Sequence, residues 1–253
     1  MKPKIGLFGL TGCGGCELAI LFIEDILLDL LKEVDLVVAP FFKEDNKEKC
    51  DIALVSGLVA DKKDIKILKD IRNNSKTLIA LGACAVHANV PALKNFMNKK
   101  IVEKSAYDKT SHLDPVEPSP LSNHVKVDFS VPGCPPSRHE IIGFIKDILL
   151  EKRLVQNQMP VCFECNLKEN YCLLYQGKEC MGPLTRAGCN ALCPSFGKEC
   201  TGCRGPIEDG NINEIKKIFE KKGLDINMIT NKLNKYAGLE FKKLMDGKNE
   251  KKD

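Results

Sequence analysis

Up to residue 151 the chain alternates between short apolar runs and longer segments in which apolar residues recur every three to four positions. Five runs of five to seven residues predict buried strands, at 4–8, 34–40, 51–57, 77–82 and 125–131. The spacing predicts helices between them, over 17–34, from the N-cap Asp61 to Asn73, and from Pro136 to Glu151. Strands that alternate with helices form parallel sheets. We therefore expect an α/β fold with a flavodoxin-like doubly wound parallel sheet.

The pattern changes near residue 152, where the periodicity gives way to a segment rich in cysteine. Helical patterns return after Pro206, over 212–222, 226–236 and 239–245. We expect a flavodoxin-like domain over 1–152 and a second domain over 153–253, in which an irregular cysteine-rich segment precedes C-terminal helices. The polar stretch 98–124 contains three prolines and predicts a long loop. Contact with a partner and a plain surface excursion are both open for this loop.

Composition and charge exclude several classes of protein. The net charge of +4 is spread over mixed runs of lysine and glutamate, which is typical of a solvated surface and not of a nucleic-acid-binding stripe. The N-terminal sequence MKPKIGLFGL has no long apolar core and no twin arginine, so it does not resemble a signal peptide. No window approaches the roughly 18 apolar residues of a membrane-spanning helix. We expect a soluble, cytoplasmic protein.

Thirteen cysteines are the unusual feature of the composition. An odd number of thiols cannot pair fully, and disulfides are rare in a reducing compartment. Eight of the thirteen lie between Cys162 and Cys203 with organised spacing, whereas structural thiols are scattered singly. Dense groups of thiolates bind soft metals, so the composition predicts metal centres.

Four of the cysteines follow predicted strands: Cys13 and Cys16 follow the first, Cys84 the fourth and Cys134 the fifth. The carboxyl ends of parallel strands meet at one edge of the sheet, so we expect these thiols to converge there. For Cys13 and Cys16 alone, thioredoxin-like redox chemistry is an alternative, and Cys84 alone is compatible with a small buried residue. A nucleotide-binding loop is disfavoured, because GLTGCGG has neither the P-loop lysine nor the G-x-G-x-x-G spacing.

The other eight cysteines form two blocks, C-x2-C-x6-C-x7-C followed by C-x3-C-x6-C-x2-C. The blocks consist of Cys162, Cys165, Cys172 and Cys180, and of Cys189, Cys193, Cys200 and Cys203. Twelve cysteines at four per cluster give three iron–sulfur clusters. Zinc is the alternative, because C-x2-C pairs also occur in zinc sites. The additional cysteines between the pairs, and a proline directly after Cys134 and Cys193, favour iron–sulfur clusters.

Five segments resemble the small subunit of [NiFe] hydrogenases, and most closely the delta subunit of the cytoplasmic sulfhydrogenase branch. They are GLTGCGGCEL, LGACAVHANV, VDFSVPGCPP, PVCFECNL and ECMGPLTRAGCNALCPSFGKECTGCRGP. The resemblance covers about residues 3–206 and implies an electron-transfer subunit, inactive alone, that accepts electrons from a nickel–iron site in a separate large subunit. The implied acceptors are partner subunits with flavin, NAD(P) and further iron–sulfur clusters, or sulfur and polysulfide. Coenzyme F420 and heterodisulfide-reductase-linked systems are alternatives.

The resemblance also implies which cysteines hold which of three [4Fe-4S] clusters. The proximal cluster has Cys13, Cys16, Cys84 and Cys134, the medial cluster Cys189, Cys193, Cys200 and Cys203, and the distal cluster Cys162, Cys165, Cys172 and Cys180. In the periplasmic branch a histidine replaces Cys162 and a proline replaces Cys193, so cysteine at both positions implies three all-cysteine cubanes. Cys50 matches no ligand position. No thiolate pair is left to bind nickel, and no catalytic residue is predicted.

Glu17 follows Cys16 directly and has two open interpretations. It can help to move protons in the complex, or it is a carboxylate stabilised by the dipole at a helix N-terminus.

Two other classes of protein remain as alternatives. A quinone-linked dehydrogenase subunit of the complex I type would have the N-terminal sheet but would lack the 162–203 block. A zinc-stabilised scaffold would contain zinc in place of iron and sulfide.

Overall fold

The computed structural model describes residues 2–23, 25–39, 49–106, 108, 115–150, 152–224 and 226–249. The chain divides by its contacts into two compact units, Met1–Leu154 and Val155–Asp253. The predicted domain boundary after residue 152 lies beside this division. Four parts of the predictions fall outside the described residues: residue 24 of the first predicted helix, the strand end at Pro40, the helix end at Glu151, and residues 107 and 109–114 of the predicted loop.

The first unit is built around a parallel sheet. Its strands are β1 (Lys4–Gly9), β2 (Asp35–Val38), β3 (Cys50–Ser56), β4 (Val59–Asp61), β5 (Ser75–Leu81), β6 (Pro115–Ser119) and β7 (Phe129–Val131). Five of them pair in the order β2-β1-β3-β5-β7, and every pairing between neighbours is parallel. This is the flavodoxin-like order, with the first strand between the second and the third along the chain. The predicted fold class is confirmed.

Ten α-helices occur among the described residues. They are α1 (Gly15–Leu21), α2 (Asp25–Glu33), α3 (Lys62–Asn73), α4 (Gly82–His87), α5 (Lys99–Ala106), α6 (Arg138–Leu149), α7 (Val161–Leu167), α8 (Leu192–Ser195), α9 (Ile212–Lys221) and α10 (Ile226–Asn249). The N-cap prediction at Asp61 is confirmed, because its carboxylate accepts a hydrogen bond from Asp64 N at 2.8 Å and completes a capping box. None of these helices combines the length and the apolar composition that crossing a membrane would require.

Apolar residues cover both faces of the sheet, as continuous apolar strands require. In β3, Leu54 belongs to the apolar cluster on one face and Val55 to the cluster on the other. Phe144 of α6 packs in the first of these clusters and stacks on Phe129, with ring centroids 5.0 Å apart. The core therefore holds the strand ends, and the turns after them, in fixed positions.

Two local predictions differ from the structure. The helical pattern over 17–34 forms two helices, since α1 ends at Leu21 and α2 begins at Asp25. The stretch 98–124, predicted as loop, contains α5 and the strand β6, which pairs antiparallel with β4. Proline is tolerated in β6 because this strand forms one edge of a two-stranded sheet. The break predicted between the helices over 226–236 and 239–245 is present, because the helical span α10 has non-helical backbone at Ala237.

In the second unit the cysteine-rich segment and the last two helices share an apolar core. Phe219 of α9 and Phe241 of α10 are buried there with Met181 and Leu184. Isolated bridges between Pro160 and Arg186, and between Thr185 and Pro206, connect the irregular parts of the segment. The segment thus has a fixed backbone with few regular elements.

Candidate metal centres

The carboxyl edge of the parallel sheet positions four cysteines. Cys13 lies in the turn after β1, and Cys16 lies in the first turn of α1. Cys84 lies in α4, which starts directly after β5, and Cys134 follows β7. Because β1, β5 and β7 run in the same direction, the elements after them begin at the same edge.

Electrostatic interactions connect all four of these thiols. Burial raises the pKa of Cys16 far above its ordinary value, and Glu17, Cys84, Cys134 and Cys13 raise it further. Burial also raises the pKa of Cys84, to which Cys134 and Cys13 add. The structure therefore brings together the four cysteines that the sequence predicts at this edge. Four thiolates so close to one another repel unless a bound cation compensates their charge.

Two glycines allow the turns that carry these cysteines to lie close to one another. Gly82 has φ +88, and a Cβ at this position would overlap Cys16 Sγ. Gly133 has φ +138, and a Cβ there would lie 2.8 Å from Pro136 Cα. Ala83 N donates to Gly133 O at 2.7 Å and so joins the turns that carry Cys84 and Cys134. Both turns require glycine for conformation and for space.

Asn89 supplies polar hydrogens to this group. Its Nδ2 donates to Cys84 Sγ at 3.4 Å and to Cys134 Sγ at 3.5 Å. The side chain is only 5% exposed, and its Oδ1 has no hydrogen-bond partner among the described residues. The N–H groups of the Asn89 amide are therefore directed at the two sulfur atoms.

Glu17 lies in the first turn of α1, where the helix dipole favours a carboxylate. It is buried and accepts a hydrogen bond from the hydroxyl of Ser56, at the carboxyl end of β3. This bond fastens the start of α1 to the sheet beside Cys16. A role in proton movement stays a prediction.

The first cysteine block of the second unit also forms a compact group. Burial raises the pKa of Cys162 to about 12, with further contributions from Cys180, Cys165 and Cys172. A Cβ on Gly182 would lie 3.3 Å from Cys162 Sγ and 3.5 Å from Cys180 Sγ, so a glycine keeps this space open. The four cysteines of the block are thus neighbours in space.

In the second block, electrostatic interactions join Cys200 to Cys203 and to Cys180 of the first block. Burial raises the pKa of Cys200 far above its ordinary value, and Cys180 and Cys203 raise it further. Cys200 N also donates to Cys180 Sγ at 3.4 Å, which connects the two blocks. For Cys189, burial raises the pKa, Glu164 adds to this, and Arg204 opposes it. That Cys189 and Cys193 share a site with Cys200 and Cys203 stays a prediction.

Glu164 joins the two blocks through its carboxylate. Its Oε1 accepts from Gly188 N at 2.8 Å, its Oε2 accepts from Ala191 N at 3.0 Å, and Cys189 Sγ lies 3.9 Å from Oε2. The carboxylate thus holds the turn around Cys189 against α7, the helix that carries Cys162 and Cys165.

Asn89 and Glu164 are site residues that were not predicted from the sequence. For Glu164 a signal existed, namely an acidic residue inside a C-x2-C pair. For Asn89 no spacing pattern pointed to the sulfurs. Cys50 lies elsewhere, buried in β3 within an apolar cluster.

Among the described residues, no group of three or more His, Cys, Asp or Glu side chains is arranged to hold a single metal ion. A four-iron cluster holds its thiolates around a larger volume than a zinc ion does, because the irons and sulfides lie between them. The observations that fit such a cluster are the groups of neighbouring thiols, the N–H groups directed at sulfur, and the glycines beside them.

Comparison with known proteins gives the class of the chain. Residues 13–148 match the family described as NADH ubiquinone oxidoreductase, 20 Kd subunit. The match covers more than half of the chain and includes the four cysteines at the sheet edge. The chain therefore belongs to this family of oxidoreductase subunits, together with hydrogenase subunits that match most of its length.

Two such hydrogenase subunits and one solved structure are similar to the chain. It is 41% identical over 241 residues to sulfhydrogenase 2 subunit delta of Pyrococcus furiosus, across 92% of this chain and 99% of that protein. It is 34% identical to a subunit of the F420-non-reducing hydrogenase vhu of Methanococcus voltae, across 82% of this chain and 84% of that protein. A chain of an NAD+-reducing [NiFe]-hydrogenase in the H2-reduced state aligns with a TM-score of 0.56 and 28% identity, across 60% of this chain and 94% of that one. The expected resemblance to hydrogenase subunits is confirmed.

Proposed function

We propose that the chain is the electron-transfer subunit of a cytoplasmic [NiFe] hydrogenase and that it carries three [4Fe-4S] clusters. The observation that carries the proposal is the convergence of Cys13, Cys16, Cys84 and Cys134 at one sheet edge. The extensive match to sulfhydrogenase 2 subunit delta favours a hydrogenase over a complex I type subunit, because it covers 92% of the chain.

In this proposal each group of four cysteines holds one cluster. The proximal cluster is bound by Cys13, Cys16, Cys84 and Cys134, the distal by Cys162, Cys165, Cys172 and Cys180, and the medial by Cys189, Cys193, Cys200 and Cys203. Each cluster, when bound, accepts and releases one electron. The chain itself fixes the thiolates in place, buries Cys180 and Cys200, and directs N–H groups at sulfur atoms, as from Asn89 to Cys84 and Cys134.

Cluster binding is coupled to loss of protons from the thiols. Burial raises the pKa of Cys16, Cys162 and Cys200, so each is a neutral thiol at pH 7 when no cation is present. These residues would hold iron as thiolates, and a bound cation would offset the repulsion among their sulfurs. Loading of the site would therefore release protons from the thiols, and acid would oppose it.

The proposed partners follow from the direction of electron flow. The large subunit, which holds nickel and iron, covers the sheet edge with the proximal cluster, because the first acceptor must lie near the site where H2 reacts. Subunits with flavin, NAD(P) and further clusters receive the electrons, and a relative of known structure is NAD+-reducing. The match to a sulfhydrogenase subunit supports sulfur or polysulfide as an additional acceptor. The Methanococcus voltae relative belongs to a hydrogenase described as F420-non-reducing, which does not favour F420 as the acceptor, and a heterodisulfide-reductase-linked system stays the alternative.

Metal analysis of the complex tests the proposal. Anaerobically purified complex should contain about twelve irons and matching sulfide per copy of this chain, after subtraction of those in its partners. Zinc without iron and sulfide would favour the scaffold alternative, and eight irons or fewer in folded protein would refute three cubanes. The chain without its partners should not reduce viologen dye with H2. Rates with NAD+, NADP+, F420 and polysulfide would then identify the acceptor.

A further inference from the structure

We propose that Asn89 raises the reduction potential of the proximal cluster by donating its side-chain N–H groups to two of the ligating sulfurs. This inference rests on the proposed function, since it requires a cluster on Cys84 and Cys134. The Sγ atoms of these residues stand for the iron-bound thiolates of the loaded protein. Asn89 Nδ2 lies 3.4 Å from the first and 3.5 Å from the second.

The backbone directs Asn89 back towards the cysteines. The helix α4 ends at His87, and the next two residues both have positive φ, +60 at Ala88 and +45 at Asn89. Ala88 N donates to Cys84 O at 2.9 Å, which closes this turn over the cysteine. Asn89 also has ψ −147, which lies outside the left-handed helical region that asparagine tolerates and close to backbone that glycine adopts most easily. The side chain of Asn89 is therefore held at this position at a conformational cost.

The sulfur atoms determine which end of the amide faces them. If the amide were reversed, Oδ1 would lie against the lone pairs of two sulfurs, and no hydrogen bond would form. With Nδ2 towards the sulfurs, Oδ1 is buried without a hydrogen-bond partner among the described residues. Such a carbonyl destabilises the folded state, and an apolar side chain would avoid this cost. The contribution specific to Asn89 is therefore the pair of N–H contacts to sulfur.

Donors at sulfur favour the reduced cluster. Reduction adds negative charge that is shared by the thiolate sulfurs, and a hydrogen bond to a more negative acceptor is stronger. The cluster potential responds to hydrogen bonds at the sulfurs for this reason. Asn89 is only 5% exposed, but Cys134 is exposed in the chain alone, so the test uses the complex, in which the large subunit of the proposed function covers this edge and keeps water from replacing a lost N–H donor.

Two substitutions separate the effect of hydrogen-bond donation by Asn89 from the effect of its side-chain shape. Asn89→Gly removes both contacts and accepts positive φ without strain. Asn89→Asp keeps the shape and replaces the donors by a carboxylate. We expect both to lower the potential of one cluster, Asp more than Gly. For Gly the reduced-to-oxidised ratio at a fixed potential should fall about tenfold, which equals about 59 mV for one electron.

The measurement is a redox titration of the intact hydrogenase complex followed by EPR, with iron counted in each preparation. Asn95→Asp is the matched control, because Asn95 is another partly buried asparagine of the first unit and its Nδ2 donates to Pro118 O at 2.8 Å, not to sulfur. The inference holds if one titration step shifts in both Asn89 variants while the other steps and the control keep their potentials.

Three outcomes would overturn the inference. Unchanged steps in both Asn89 variants would show that the contacts do not affect the potential. An equal shift of the cluster potential in the Asn95→Asp control would show that any added negative charge in this unit has the same effect. Loss of four irons would make Asn89 an assembly residue. Failure of the proposed function is distinguishable, because wild-type complex would then lack the cluster before any substitution is made.

Discussion

Replacing Glu164 with alanine should release the turn around Cys189 and weaken the medial cluster. The carboxylate of Glu164 is the acceptor for Gly188 N and Ala191 N, at 2.8 and 3.0 Å. Both N–H groups belong to the turn that carries a predicted medial ligand. Alanine leaves these donors unpaired against the helix α7 or exposes them to water.

The size of the effect follows from the two bonds. A hydrogen bond to a charged acceptor contributes about 1.5–3 kcal/mol, and the site is only partly buried, so the lower end of this range applies. Two bonds give about 3 kcal/mol, a substantial part of the total stability of a typical domain. Glu164→Gln keeps one acceptor oxygen and should lose about half of this.

The assay is anaerobic urea unfolding of the complex, combined with iron retention under a chelator. We expect Glu164→Ala to lower the unfolding midpoint and to lose about four irons faster than wild type. Glu169→Gln is the control for charge, because Glu169 is exposed and lies between Cys165 and Cys172 in sequence. Iron retention equal to wild type, with an unfolding free energy within about 0.5 kcal/mol of it, would refute the reasoning.

Three further substitutions test other parts of the structure. Cys193→Pro should convert one cubane to a [3Fe-4S] cluster in the oxidised EPR spectrum, and a change in the cluster of Cys162 instead would show that our grouping is wrong. Gly82→Ala should remove the proximal cluster alone, because a Cβ at φ +88 overlaps Cys16 Sγ; a full iron count would contradict this. Asp61→Ala should lower the unfolding free energy by about 1 kcal/mol through loss of the α3 cap, with iron content unchanged.

The sheet and its functional edge were predictable because they depend on local patterns. Continuous apolar runs such as that of β3 are buried on both faces, and strand direction then decides where the turns lie. The position of Cys84 after β5 and of Cys134 after β7 followed from this alone. Asp61 was predictable for the same reason, since a capping box needs only residues three apart.

Other features depend on contacts between distant parts of the chain. Glu164 reaches residues 24 and 27 positions away, and Asn89 reaches Cys134 across 45. The periodic spacing of apolar residues carries no information about contacts over such distances in the sequence. The break between α1 and α2 was missed because apolar spacing continues through it. The strand β6 was missed because its prolines resemble loop, whereas an edge strand accepts them.

In the proposed function, Asn89 and Glu164 would give different potentials to clusters of the same composition. At the sheet edge, buried N–H donors face two sulfurs and favour the reduced state. In the second unit, a carboxylate lies 3.9 Å from Cys189 Sγ, and a negative charge beside a cluster disfavours added electrons. The two effects on the cluster potential have opposite signs, although cysteine supplies every proposed ligand at both sites. The surroundings of the thiols, and not the ligand set, would therefore set the order in which the clusters accept electrons.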